Sequence, residues 1–124
     1  MLPLCADQGI GVLPWSPLAR GRLTRDWDVS TDRSETDQFG KTLYHDSDRD
    51  IVERLAEVAT MRGVSRAQVA LAWVLNNSTV TSPIVGASRA VHLDDAVAAL
   101  ELHLSDDEIT QLEQSYAARE ATGF

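Results

Sequence analysis

Gly9-Ile10-Gly11-Val12-Leu13-Pro14-Trp15-Ser16-Pro17-Leu18-Ala19-Arg20-Gly21-Arg22-Leu23-Thr24-Arg25 reads as a short buried strand that runs into a tight, cation-bearing loop. Ile10, Val12 and Leu13 supply the apolar, partly β-branched run of a strand core, and Gly9 and Gly11 punctuate its entry. Pro14 and Pro17 have no N–H for a sheet ladder, so pairing is expected to fade where Trp15 begins. Pro17 also biases Ser16 toward extended backbone. A hydroxyl, a small residue, a glycine and three arginines follow, and strand-end loops commonly carry function. Composition alone suits either an anionic ligand or a solvated basic loop.

Outward from this stretch, the bulk properties narrow the classes. The 124 residues suffice for one domain, or part of one, with a real core, and 44% hydrophobic content is ordinary for a soluble globular chain. A net charge of −8 argues against a general nucleic-acid or anionic-membrane binder, although Arg20, Arg22, Arg25 and Arg89 leave room for a local anion site. The lone Cys5 allows no internal disulfide, and no metal-ligand spacing surrounds it. Together with the absence of a visible signal peptide or a bilayer-length apolar run, this leads to the expectation of a cytoplasmic protein.

On the N-terminal side, 1–8 reads as the last turns of a helix stopped by Gly9. On the other side, 26–47 is polar, with Trp27, Phe39, Leu43 and Tyr44 as anchors; a loop this long is either functional or disordered. Ser47 is the expected cap of a helix bearing Ile51, Leu55, Val58 and Ala59, which Gly63 ends. Ser65 and Gln68 form a capping-box pattern for the next helix, whose buried face is expected to hold Val69, Ala72 and Trp73. Residues 80–85 read as a second strand, 86–89 as a second loop, and the helix after it carries Leu93, Ala96, Val97 and Leu100 on one face. A second capping box, Ser105 with Glu108, opens a last helix with Ile109, Leu112 and Tyr116 aligned, and 117–124 is expected to fray. Strands separated by helices imply an α/β fold with parallel pairing through a right-handed crossover. Two such strands alone leave open edges.

Three stretches carry a family likeness. Trp15-Ser16-Pro17-Leu18-Ala19-Arg20-Gly21 resembles the seventh-strand motif of the aldo-keto reductases. Ser82-Pro83-Ile84-Val85-Gly86-Ala87-Ser88-Arg89, followed by His92-Leu93-Asp94-Asp95, resembles their eighth-strand motif, and Ala67–Trp73 resembles the helix between. The likeness covers nearly the whole chain and is strongest to bacterial members of the potassium-channel-β-subunit-like branch. It implies the C-terminal portion of a (β/α)8 TIM barrel, strands 7 and 8 with their helices, with the first six strands not in this chain. The segment 26–47 then resembles a variable loop that can cover the cofactor.

The ends of strands 7 and 8 are the usual phosphate-binding corner of such barrels. The resemblance implies NADP(H) as cofactor. Trp15, Ser16, Pro17, Leu18, Ala19 and Arg20 resemble the wall around the nicotinamide ribose and pyrophosphate, Gly21 and Leu23 support that loop, and Arg25 lies near a family cation that reaches the pyrophosphate. Gly86, Ser88 and Arg89 resemble the clamp on the adenosine 2′-phosphate, and His92 and Asp95 occupy adenosine-contacting positions. Read without the family, His92 is an exposed helix residue, and Asp94 and Asp95 simply match the positive end of a helix dipole. Ala96 departs from the pattern, since many relatives carry there an Asn that bonds adenine.

The family's catalytic Tyr, Lys, Asp and His lie on earlier strands, and Lys41, Tyr44, Tyr116, His45 and His103 match none of those motifs. The expectation is therefore a cofactor-binding part of a reductase of aldehydes and ketones, inactive by itself, with no catalytic or metal residue. The alternatives are a non-catalytic NADP(H)-binding remnant, or a split-barrel partner that needs a separate N-terminal half.

Overall fold

Leu55, Val58, Ala59, Val69, Ala70 and Leu112 form the core cluster, and Leu18, Leu23, Val64, Leu102 and Leu104 pack against it. The computed structural model describes residues 1–31 and 35–118. Six α-helices are described: α1 (Leu2–Asp7), α2 (Gln38–Leu43), α3 (Arg49–Arg62), α4 (Arg66–Leu75), α5 (Ala90–Ala98) and α6 (Asp106–Glu113). The core lies where α3 meets α4 and α6.

The helix signals translate with small displacements. Gly9 (φ 64) follows α1, and Gly63 (φ 66) ends α3 in the left-handed conformation that glycine adopts without a Cβ penalty. Ser47 does not cap α3. A 3₁₀ turn over Asp46–Asp48 absorbs it, and the Asp48 carboxylate accepts from the His45 N–H at 3.1 Å. The Ser105–Glu108 box forms in both directions and opens α6. The expected fray is described only at 117 and 118, since 119–124 lie outside the described residues.

One expectation about burial needs correction. Trp73 does not join the core of α4: it is 43% exposed, and its indole N–H donates to Glu113 at 2.9 Å. Val69 and Ala72 are buried as expected, with Ala70 and Leu71 beside them, and the small side chains of Ala70 and Ala72 let α4 sit close to both α3 and the 3₁₀ turn Ala99–Glu101. On α5 and just beyond it, the apolar residues Leu93, Val97 and Leu100 are exposed, and the buried residue there is Ala99.

Among the described residues the two expected strands are reduced to isolated bridges, and their apolar residues are not buried. Pairing among the described residues consists of two parallel bridges, Val12 with Val80 and Trp15 with Ile84. Thr81 and Ser82 N–H groups donate to the Val12 carbonyl (2.9 and 3.4 Å), and Ile84 N–H donates to the Pro14 carbonyl (2.8 Å). Bonds in the opposite direction fail for chemical reasons. Pro14 has no N–H, and the Val12 N–H donates to the Thr81 hydroxyl at 3.1 Å. Ile10 and Leu13 are more than half exposed. The parallel direction holds; the ladder does not extend.

One ion pair ties the C-terminal helix to the body. The Arg62 guanidinium donates to both Glu108 carboxylate oxygens and to the His103 carbonyl. That guanidinium, and then the Ser105 N–H, hold the Glu108 carboxyl at about 2, well below its ordinary value. A carboxyl whose folded value is depressed contributes stability above its unfolded value, and that stability fades as the pH falls through the folded value. The melting temperature of the chain is therefore expected to drop between about pH 4.5 and pH 2. In Glu108→Gln that part of the drop is absent, and an unchanged acid profile in the variant would refute this role.

Candidate functional site

The Trp15–Ile84 bridge fixes the relation between the two candidate loops. In a parallel pair, both chains leave at the same end, so 16–21 and 86–89 emerge side by side. The site residues named above fall into these two loops and the first turns of α5.

The first loop is bent more sharply than its sequence suggests. Ser16 is not extended but left-handed (φ 55), as are Ala19 (φ 48), Arg20 (φ 55) and Gly21 (φ 88). Three of these residues carry a Cβ, and each such conformation costs about 1 kcal/mol or more. Local bonds hold the bend. Ser16 Oγ accepts from the Arg20 N–H at 3.2 Å, and the Ser16 and Leu18 carbonyls accept from Ala19 and Gly21. Leu18 and Leu23 anchor the loop on the core, while Trp15 stays largely exposed at the strand end.

The three arginines of this loop all have partners within the protein. Arg20 pairs with Asp37, stacks over Phe39 at 5.8 Å, and its guanidinium is held above its ordinary value by the Asp37 hydrogen bond. Arg22 donates to the Trp27 carbonyl and stacks on its ring at 4.9 Å. Arg25 donates to the Gly21 carbonyl at 2.7 Å and the Val29 carbonyl at 3.0 Å; burial, and then Arg22, lower its value. Asp26 with Arg66 and Asp28 with Arg49 continue the series, so the polar segment is pinned rather than loose over these positions.

Glycine suits position 21 because its φ is +88, and a Cβ added there would also make the Arg25 guanidinium, 2.8 Å away at Nη1, give way. Gly21→Ala is expected to destabilise the chain by about 1–2 kcal/mol, read as a lowered melting temperature. Gly86→Ala is the matched control: nothing stands within 4 Å of its added Cβ, so its melt is expected to stay at the wild-type position.

The second loop is arranged differently. Gly86, Ser88 and Arg89 are exposed, and α5 begins at Ala90 with no side-chain cap on its first N–H groups. The Arg89 guanidinium lies 3.2–3.3 Å from His92 Nε2, and the Ser88 N–H faces His92 Nδ1 at 3.4 Å. A neutral imidazole has one lone-pair nitrogen, so it accepts from only one of these donors at a time. Asp95, half-buried one turn further on, accepts from Gln68 Nε2 at 2.7 Å. Asp37 and Gln68 were not among the residues expected at the site. Their signals were faint: Asp37 stands three residues before Gly40, whose N–H it caps, and Gln68 looks like half of a capping box.

Among the described residues no group of three His, Cys, Asp or Glu is placed to hold a metal ion, and no helix is long and apolar enough to cross a membrane. Burial pushes the Tyr44 phenol above its ordinary value, the wrong direction for a proton donor near neutral pH.

A family model described as "Aldo/keto reductase family" matches residues 1–117. The chain is 40% identical over 124 residues to the versiconal hemiacetal acetate reductase of Aspergillus parasiticus, covering 96% of this chain and 36% of that protein. An aldo-keto reductase of Fusarium vanettenii is 40% identical over 99% of the chain and 34% of its own length. One of Alternaria alternata is 37% identical over 99% of the chain and 34% of its own length. The chain thus spans about a third of the length of the curated relatives it matches.

Proposed function

Because the chain belongs to the aldo/keto reductase family, we propose that it is the cofactor-binding, C-terminal portion of an NADP(H)-dependent reductase of aldehydes or ketones, carrying strands 7 and 8 of a (β/α)8 barrel. One observation carries the reading. Arg20 is paired with a carboxylate, and Arg22 and Arg25 are spent on carbonyls, whereas among the described residues the Arg89 guanidinium meets an imidazole. Arg89 therefore keeps most of its five N–H donors and its full charge for an outside anion.

The surroundings fit a phosphate dianion. The Cβ side of Gly86 is open, and the uncapped N–H groups at the start of α5 add a positive dipole end. Ser88 and Arg89 would hold the 2′-phosphate, and His92 and Asp95 the adenosine. Trp15, Ser16, Pro17, Leu18, Ala19, Arg20 and Gly21 would wall the nicotinamide ribose and pyrophosphate, with Arg25 bracing that wall through the Gly21 carbonyl. When bound, NADPH supplies the hydride for carbonyl reduction. No residue of this chain is assigned to proton transfer, so the chain by itself is expected to turn over no aldehyde. A cytoplasmic setting is part of this reading.

The test is a thermal melt of the chain with and without excess NADPH. A ligand that prefers the folded state raises the midpoint. A midpoint indifferent to NADPH overturns the binding assignment. A second reading, a partner that completes a barrel with a separately supplied N-terminal portion, is favoured by the exposed apolar residues Ile10, Leu13, Ile84 and Leu93. Co-expression with the first two thirds of a family member is then expected to yield a co-purifying, active pair, and failure to co-purify counts against it.

A further inference from the structure

Gln68 stands at the third position of α4, and its own N–H is capped by Ser65 Oγ at 3.2 Å. A reciprocal capping box would fold the Gln68 side chain back onto the Ser65 N–H. Instead its Nε2 reaches across to α5 and donates to Asp95 Oδ1 at 2.7 Å. His92 and Asp95, three apart on α5, are neighbours on its surface, and Arg89, the extended residue just before α5, meets the His92 ring. Gln68 grips the Asp95 end of this series.

A carboxylate held at one oxygen has its other oxygen fixed in direction, with lone pairs still open. An amide does this without cancelling the charge, as an arginine or lysine would. We infer that Gln68 is a positioning residue: it orients the Asp95 carboxylate to accept from an N–H or O–H of the adenosine half of the cofactor. The inference rests on the cofactor reading above and adds a residue outside both loops to it. It also compensates for Ala96, which offers no polar atom to the purine.

The experiment is calorimetric titration of the chain with 2′,5′-ADP and, separately, with nicotinamide mononucleotide. Gln68→Met keeps the side-chain length and removes the donor. It is expected to weaken 2′,5′-ADP about five- to tenfold, within the range of one ordinary hydrogen bond. Gln68→Glu, which sets a like charge against Asp95, is expected to weaken it further. Nicotinamide mononucleotide is expected to bind both variants as it binds the wild type. In an Asp95→Ala background, Gln68→Met is expected to cost nothing more, the mark of one residue acting through another.

Equal weakening of both ligands overturns the inference, as does a full loss that persists without Asp95. Unchanged 2′,5′-ADP binding with only a lowered melting temperature makes Gln68 a structural link between helices and overturns it as well. A wild-type chain that binds no 2′,5′-ADP removes the cofactor reading itself, and the inference with it.

Discussion

Arg89→Ala is expected to weaken NADPH binding by about 10- to 100-fold and to leave NADH within about twofold, the range expected when charge-assisted bonds to one phosphate are removed. The difference between the two cofactors isolates the 2′-phosphate, because everything else about them is shared. Arg89 is exposed and meets an imidazole rather than a carboxylate, so its removal strands no buried charge and should leave the fold intact. Arg89→Lys is expected to recover only part of the loss, since an ammonium restores charge but not a planar two-point grip. Arg49→Ala is the control. Arg49 is already paired with Asp28, and its loss should weaken neither cofactor. Fluorescence titration checks all three variants, and equal weakening of NADPH and NADH by Arg89→Ala would remove the clamp assignment.

Leu55→Ala is expected to have the largest effect on stability, a loss of about 3 kcal/mol. Leu55 is 4% exposed, sits in the core cluster with Val58, Val69 and Leu112, and also floors an apolar groove of about 380 Å³ lined in part by Pro17, Leu23 and Trp73. Truncating it removes buried apolar contact on the core side and widens the groove that supports the first loop. Native chains hold only about 5–15 kcal/mol in all, so this one change takes a large share. Leu93→Ala, at a residue 54% exposed, is expected to stay within about 0.5 kcal/mol of wild type. Urea unfolding of the two variants checks the contrast. Equal midpoints would mean that the cluster around Leu55 is not what holds the chain together.

What could be read from the residues alone followed local chemistry. Gly63, Ser65 and the Ser105–Glu108 box marked helix ends because a φ of +66 and a free N–H are demands on single positions. Parallel pairing of the two apolar stretches was legible from the helices between them. The misreadings came where distant partners decide. Trp73 looked like core by size and spacing, yet Glu113, forty positions away, gives its indole a reason to lie at the surface. Ser16 was expected to be extended because Pro17 follows, but the turn that brings the Arg20 N–H to Ser16 Oγ overrides that bias. At the candidate site, the family motifs named both loops, while the partners of Arg20 and Asp95 lie on other segments: Asp37 in no motif, and Gln68 in the helix between the loops, where it read as a cap.

The Thr81 hydroxyl and the Val12 N–H that meet beside the Val12–Val80 bridge are 69 positions apart in the chain. Closing a flexible loop of that length costs about 4 kcal/mol in chain entropy, and two bridges return little of it. The helices α3 and α4, joined by a short turn, have no such cost to meet and form their contacts early. The two strand ends, and the loops they carry, therefore come together late in folding and part first when the chain begins to open. A molecule that touches both loops then acts as a staple across the slowest-closing seam. Cofactor affinity and the rate of opening at that seam become two readings of one free energy.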